Sequence, residues 1–249
     1  MLRLTKLPDL FSILNAVLGF GAILLALDGI RGTGTGLATA LVLILLAAVI
    51  DGLDGIVARA LESSLLGEFL DSLADMVSFG VAPAILAYAF ITDYSRLAAP
   101  YGSLALAVGG AYITCGMLRL ARFNANLPVP NVPEQRELSE KFLGFPITGS
   151  ATFLASFILL MTELPIPSAA SAKLLLGVMA LLCYLMTSRI PYQKLRDRRI
   201  TVPVGLLFLA LFLAYLFSFS FVYLAFVAVA LTAFYMCSPL LYTGKEKVI

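Results

Sequence analysis

Apolar runs of roughly 17 to 25 residues, the length a helix needs to cross ~30 Å of hydrocarbon, recur from one end of this chain to the other. Inside a bilayer every backbone N–H and C=O must be satisfied within the protein, so each run reads as a helix. With 61% of its 249 residues hydrophobic and 13% charged, the composition has no counterpart among soluble domains. The expected fold is therefore all-α, a polytopic membrane protein. Spans are expected at about 12–30, 37–60, 69–92, 101–122, 146–163, 169–189, 203–218 and 221–240, making about eight transmembrane helices. The last two are separated only around residues 217–220, so seven helices with one re-entrant element is the alternative.

Ahead of the first span, Arg3 and Lys6 among leucines suit a short interfacial helix that Pro8 ends. The same stretch lacks a small-residue cleavage site, and is expected to be retained rather than removed as a signal peptide. Net charge is +2 and says little by itself; the division of Lys and Arg between loops says more. With both termini cytoplasmic, fourteen of the 17 basic residues fall on the inner side, and only Arg31, Arg96 and Lys173 fall outside. Two inner connections stand out, a Pro-rich charged one at 126–141 and a basic one at 188–199 that suits anionic headgroups.

One segment breaks the apolar pattern. Residues 51–75 read DGLDGIVARALESSLLGEFLDSLAD, with four aspartates at ordered positions. An ionised carboxylate in hydrocarbon costs at least about 2.5 kcal/mol, so four together need a compensating partner. Asp51 and Asp54 are three apart, Asp71 and Asp75 four apart, and each pair projects from one face of a helix. Two such helices crossing antiparallel bring four carboxylates round one point at the cytoplasmic side. Oxygen-only ligands select hard cations, so a divalent metal, Mg²⁺ or Mn²⁺, is expected, and four carboxylates suit two ions holding a diphosphate. Gly52, Gly55, Ala58 and Gly67 remove side chains where a bulky phosphate or base must approach backbone; close helix packing is the alternative for such residues. Arg59, one turn after Gly55, is placed to meet phosphate oxygens or to hold a ligating carboxylate.

These positions together, D-x-x-D-G-x-x-A-R followed by G-x-x-x-D-x-x-x-D, resemble the signature of the CDP-alcohol phosphatidyltransferase family. Asp51, Asp54, Gly55, Ala58, Arg59, Gly67, Asp71 and Asp75 fill it. One departure is visible: seven residues, 60–66, separate Arg59 from Gly67 where the family usually has eight. The deletion shortens the turn around Ser63 and Ser64 without moving either aspartate pair along its helix. The resemblance implies a six-helix core, usually a homodimer, that binds a CDP-linked lipid and transfers its phosphatidyl group to an alcohol, releasing CMP. It also implies metal binding by Asp51, Asp54, Asp71 and Asp75, proton abstraction from the acceptor hydroxyl by Asp75, and a CDP-lipid site lined by Gly55, Ala58, Arg59 and Gly67. Direct in-line attack and a covalent aspartyl intermediate both remain open.

Three further strings, DSLADMVSFGVAPA from Asp71, RLARFN at 119–124 and LGFPITGSA at 143–151, resemble the phosphatidylserine synthase branch of that family. The implied substrates are CDP-diacylglycerol, or an archaeal CDP-lipid, and L-serine. Arg119 and Arg122 suit the serine carboxylate, Asn124 its ammonium group, and Ser78 the acceptor pocket. Pro83 reads as a helix kink. Glycerol 3-phosphate and inositol phosphate are the alternative acceptors, with the 189–199 basic patch in their favour.

A divalent-cation transporter is the alternative from another class, but the acids gather at one end and the outer halves are nearly bare of charge. The absence of His excludes Ser-His-Asp chemistry and a phosphohistidine intermediate. Cys115, Cys183 and Cys237 lie far apart in apolar sequence and suggest no disulfide or zinc site. Membrane lipid is an expected partner and nucleic acid is not. The chain is expected to divide into a core over 1–200 and a C-terminal helix pair with its tail over 201–249.

Overall fold

The computed structural model describes residues 7–28, 36–61, 65–94, 101–125, 142–192 and 222–242, with isolated helical positions at 206, 210 and 213. The expected interfacial helix before Leu7, the 126–141 connection, the basic stretch beyond Tyr192, and all but three positions of the 203–218 span lie outside the described residues. The protein is an all-α polytopic membrane protein. Among the described residues five helices are long and apolar enough to cross a membrane: Asp9–Asp28, Gly36–Gly55, Gly67–Thr92, Tyr101–Ala125 and Ser168–Thr187. Two shorter apolar helices, Ile147–Glu163 and Ala225–Pro239, occupy two more of the expected spans.

Helix α1 (Leu7–Asp28) begins before the position expected for the first span, and Pro8 sits inside its first turn instead of ending a separate element. A proline is tolerated there because first-turn N–H groups have no intrahelical acceptor. One face of α1, formed by Asp9, Ser12, Asn15, Gly19, Ala22 and Ala26, is buried, while Leu10, Val17 and Phe20 on other faces are exposed. That face packs along α2 (Gly36–Leu61) and against α3 (Leu65–Asp75).

The span that begins with α3 is not uniformly α-helical. It widens into a π-helical segment (Met76–Val81), returns to α4 (Ala82–Ala89), and widens again over Phe90–Tyr94. Pro83 lies in the first turn of α4, directly after the wide segment. Having no N–H, Pro83 cannot serve the Phe79 carbonyl four residues earlier. The Tyr112 hydroxyl donates to that carbonyl at 3.4 Å and lies 2.9 Å from the Ser150 hydroxyl. The kink expected at Pro83 is thus realised as a change of winding, beside which the Tyr112 hydroxyl reaches the Phe79 carbonyl from a neighbouring helix.

Tyr112 belongs to α5 (Tyr101–Ala125) and Ser150 to α6 (Ile147–Glu163); α7 (Ser168–Thr187) packs on α5, and α8 (Val222–Tyr242) on α6. Phe79, Phe90, Tyr112 and Phe145 are the largest side chains fully enclosed in the core. A two-residue antiparallel ladder pairs β1 (Phe142–Leu143) with β2 (Pro191–Tyr192), in register Phe142 to Tyr192 and Leu143 to Pro191. Gly144 follows at φ +85°, where a Cβ would sit 2.5 Å from the Met186 carbonyl oxygen, so only glycine fits. Its N–H donates to Ile190 and that of Phe145 to Leu185, tying the start of α6 to the end of α7. Phe145, Tyr192 and Tyr235 pack ring against ring beside this junction, which brings α8 into it.

Candidate functional site

Asp51 lies on α2, and Asp71 and Asp75 on α3. One carboxylate oxygen from each comes within 4.8 Å of the others. Asp75 is buried, and Asp51 and Asp71 are half-buried. Spacing on each helix aims the acids inward, and the contact of both helices with α1 fixes how they face.

Each of three aspartates is also tied by a neutral donor from outside the motif. Thr148, in the first turn of α6, donates to Asp51 Oδ2 at 3.2 Å. Asn15 Nδ2 donates to Asp75 Oδ1 at 3.1 Å, and the Ser12 hydroxyl donates to Asp54 Oδ2 at 2.8 Å. Asp54 is therefore turned towards α1 and stands outside the three-oxygen group, because a three-residue step rotates it away from Asp51 by about 60°. Its other oxygen, Oδ1, is buried without a hydrogen-bond partner among the described residues. Asp9, buried on α1, is close enough to Asp54 to repel it electrostatically.

Of the residues expected to contact serine, Arg119 faces the carboxylates. It is buried, interacts electrostatically with Asp75, Asp51 and Asp71, and stacks over the Phe123 ring at 5.8 Å. Asn124 borders the site through Ser72, whose hydroxyl donates to Asn124 Oδ1 at 3.0 Å beside Asp71. The other two are placed differently. Arg122 spends both guanidinium nitrogens on the end of α7, donating to the Ser188 and Thr187 carbonyls at 3.2 Å each. Ser78 is fully buried and donates to the Asn15 carbonyl at 2.7 Å, so its hydroxyl docks α1 instead of opening to the acids.

Gly52 and Gly55 discriminate between a cleared groove and close helix packing. A Cβ at either would meet no described atom within 4 Å. Both therefore border open space next to Asp51 and Asp54, unlike Gly19, where a Cβ would lie 2.6 Å from Ser78 Cα. Ala58 and Arg59 lie on the last turns of α2 with their side chains outside the described residues, as does the shortened turn with Ser63 and Ser64. Gly67 lies near the start of α3, half-buried.

The donor set suits a hard divalent cation: all-oxygen, with three oxygens converging and a fourth carboxylate holding an orphaned buried oxygen. Ser12, Asn15 and Thr148 are the site residues that sequence reasoning missed. A signal for the first two exists, since Asp9, Ser12, Asn15 and Gly19 form a polar and small stripe at helical spacing through an apolar run. Thr148 lies in the LGFPITGSA string at 143–151, but nothing in that string marks it as a partner of Asp51.

The sequence model of the family described as CDP-alcohol phosphatidyltransferase matches residues 5–188. Among curated proteins, the chain is 39% identical over 156 residues to the archaetidylserine synthase of Methanothermobacter thermautotrophicus, covering 61% of this chain and 58% of that protein. It is 33% identical over 176 residues to the CDP-diacylglycerol–serine O-phosphatidyltransferase of Helicobacter pylori, covering 70% of this chain and 68% of that protein. To the protein of the same name from Mycobacterium leprae it is 35% identical over 219 residues, covering 88% and 67%. The match thus spans a little under three fifths of the archaeal relative's length and about two thirds of the other two. The matched residues contain every element that builds the carboxylate cluster and its three neutral donors, and the chain belongs to the CDP-alcohol phosphatidyltransferase family.

Proposed function

We propose that the protein transfers the phosphatidyl group of CDP-diacylglycerol, or of the corresponding archaeal CDP-lipid, to the hydroxyl of L-serine, forming phosphatidylserine and CMP. The observation that carries this reading is the convergence of Asp51, Asp71 and Asp75 within 4.8 Å beside the open space at Gly52 and Gly55. Serine as acceptor is supported by the names of the three relatives, one an archaetidylserine synthase and two CDP-diacylglycerol–serine O-phosphatidyltransferases. When bound, divalent cations, Mg²⁺ or Mn²⁺ and in our reading two, neutralise a diphosphate and the charge that develops on departing CMP.

Asp51, Asp54, Asp71 and Asp75 hold the metal in this reading, and Gly55, Ala58, Arg59 and Gly67 line the CDP site. The serine hydroxyl attacks the lipid-bearing phosphorus, and the bond from that phosphorus to the bridging oxygen breaks, that oxygen leaving with CMP. Asp75 takes the hydroxyl proton. Asn15 donates to Asp75 Oδ1, a contact that leaves lone pairs on both carboxylate oxygens for the proton. Arg119, buried beside the acids and braced on Phe123, is placed to pair with the serine carboxylate, and Asn124 with the ammonium group. The site opens on the cytoplasmic side in the proposed orientation, with both termini cytoplasmic, and the enzyme acts as a homodimer.

The test is CMP release by purified protein in mixed micelles containing CDP-diacylglycerol and Mn²⁺ or Mg²⁺, with serine, glycerol 3-phosphate and inositol phosphate offered separately. Turnover with serine is expected. Turnover confined to either phosphorylated acceptor overturns the serine assignment.

A further inference from the structure

Asp75 accepts a hydrogen bond from a residue sixty positions earlier, outside the aspartate motif. Asn15 is fully buried on α1 and donates from Nδ2 to Asp75 Oδ1. An ionised carboxylate only accepts, so this contact fixes which way the amide points and leaves Asn15 Oδ1 buried with no partner among the described residues. A leucine here would leave Asp75 without its neutral donor, and an aspartate would add another like charge to the cluster.

The position of Asn15 is itself enforced. Its backbone carbonyl accepts from Ser78, three residues past Asp75 in the π-helical segment. One turn further along α1, Gly19 packs against Ser78 so closely that a Cβ would come within 2.6 Å of Ser78 Cα. The segment just after Asp75 thus clamps α1 by its backbone, and α1 returns an amide to Asp75. The two contacts form a closed loop between the same two elements.

We propose that Asn15 is a positioning residue for the reaction: it holds the Asp75 carboxylate in the orientation that presents it to metal and acceptor hydroxyl, and Ser78 and Gly19 set the height of Asn15 along α1. This rests on the reading of Asp75 as ligand and general base. Neutral second partners of metal-binding side chains typically contribute 10- to 100-fold in metal affinity or activity, roughly the effect expected here.

The experiment uses the full chain purified in detergent, with Mn²⁺ binding followed by electron paramagnetic resonance and turnover followed by CMP release. Asn15→Ala is expected to weaken Mn²⁺ binding by about tenfold or more and to lower kcat by a similar factor, with the KM values for CDP-lipid and serine little changed. Asn15→Ser, which keeps a hydroxyl too short to reach Asp75, serves if the alanine variant does not fold, and the same losses are expected. Mn²⁺ affinity and kcat both within about twofold of the parent overturn the proposal, as does a lowered Tm with intact Mn²⁺ affinity, which marks a merely structural residue. Asp71→Asn, a residue Asn15 does not touch, is the control for the underlying reading. Loss of Mn²⁺ binding there with none in the Asn15 variants sinks the positioning role alone, whereas undiminished binding in Asp71→Asn sinks the metal site and the positioning role with it.

Discussion

Tyr112 shows how one side chain can serve two buried polar partners at once. Its hydroxyl donates to the Phe79 carbonyl in the π-helical segment and meets the Ser150 hydroxyl. All three residues are fully buried, so a lost partner is not replaced by solvent. Leaving a buried polar group unsatisfied costs about 1 to 3 kcal/mol. Tyr112→Phe should therefore lower stability by about that amount, read as a fall in Tm in detergent, and an unchanged Tm would show that the hydroxyl contributes nothing. At this scale the sequence is most legible where a residue type has one physical use. Four acids in apolar sequence announce a cation, and their spacings of three and four announce a common helical face. Asn15 and Thr148 have many ordinary uses in a helix, and their role depends on which helix happens to lie opposite.

Among the elements, the junction of α6 and α7 carries more than its two-residue strands suggest. Gly144, the ladder and the Arg122 fork all converge on residues 185–192, and the start of α6 that they anchor presents Thr148 to Asp51. The last carbonyls of a helix lack intrahelical donors, and a guanidinium there satisfies two of them while matching the negative end of the helix dipole. Arg122→Ala should accordingly cost about 1.5 to 3 kcal/mol of stability and leave the KM for serine within about twofold. A serine KM raised tenfold with stability intact would restore Arg122 to the acceptor site. Sequence alone assigns Arg122 to serine because an arginine at the end of a helix near a cluster of acids has both uses. Which one it serves is decided by the distance to α7, a tertiary quantity. Helix positions were legible from hydropathy, whereas the start of α1 and the π-winding after Asp75 were not, since both turn on local backbone bonding around a proline.

For the molecule as a whole, polarity is partitioned. Among the described residues the buried charged side chains Asp9, Asp54, Asp75 and Arg119 gather where α1, α2 and α3 meet, with Ser12, Asn15 and Ser72 beside them; the other buried polar side chains, Ser78, Ser150, Thr152, Ser156 and Ser171, are uncharged, and large apolar side chains such as Leu106, Phe226 and Phe234 face outward. This is an assembly whose exterior suits lipid and whose interior charge is concentrated at one place. A cation that binds only the folded state raises stability in proportion to the logarithm of its concentration. Divalent metal at a hundredfold above its Kd should add about 2.7 kcal/mol, and chelation should reverse both the rise in Tm and the activity. A Tm indifferent to Mg²⁺ and Mn²⁺ would contradict a resident metal.

The wide winding after Asp75 has one more consequence. A π-helical turn behaves as an inserted residue, offsetting the faces on either side by about 100°. Met76–Val81 is thus a phase break within a single span: upstream, the repeat points Asp71 and Asp75 at α2, and downstream it points α4 at α5. Deleting one residue there would restore an unbroken helical rhythm, yet swing the acids out of alignment with everything that follows. One membrane crossing can therefore carry two helical registers, one that aims its acids at α2 and one that seats the buried face of α4 in the core.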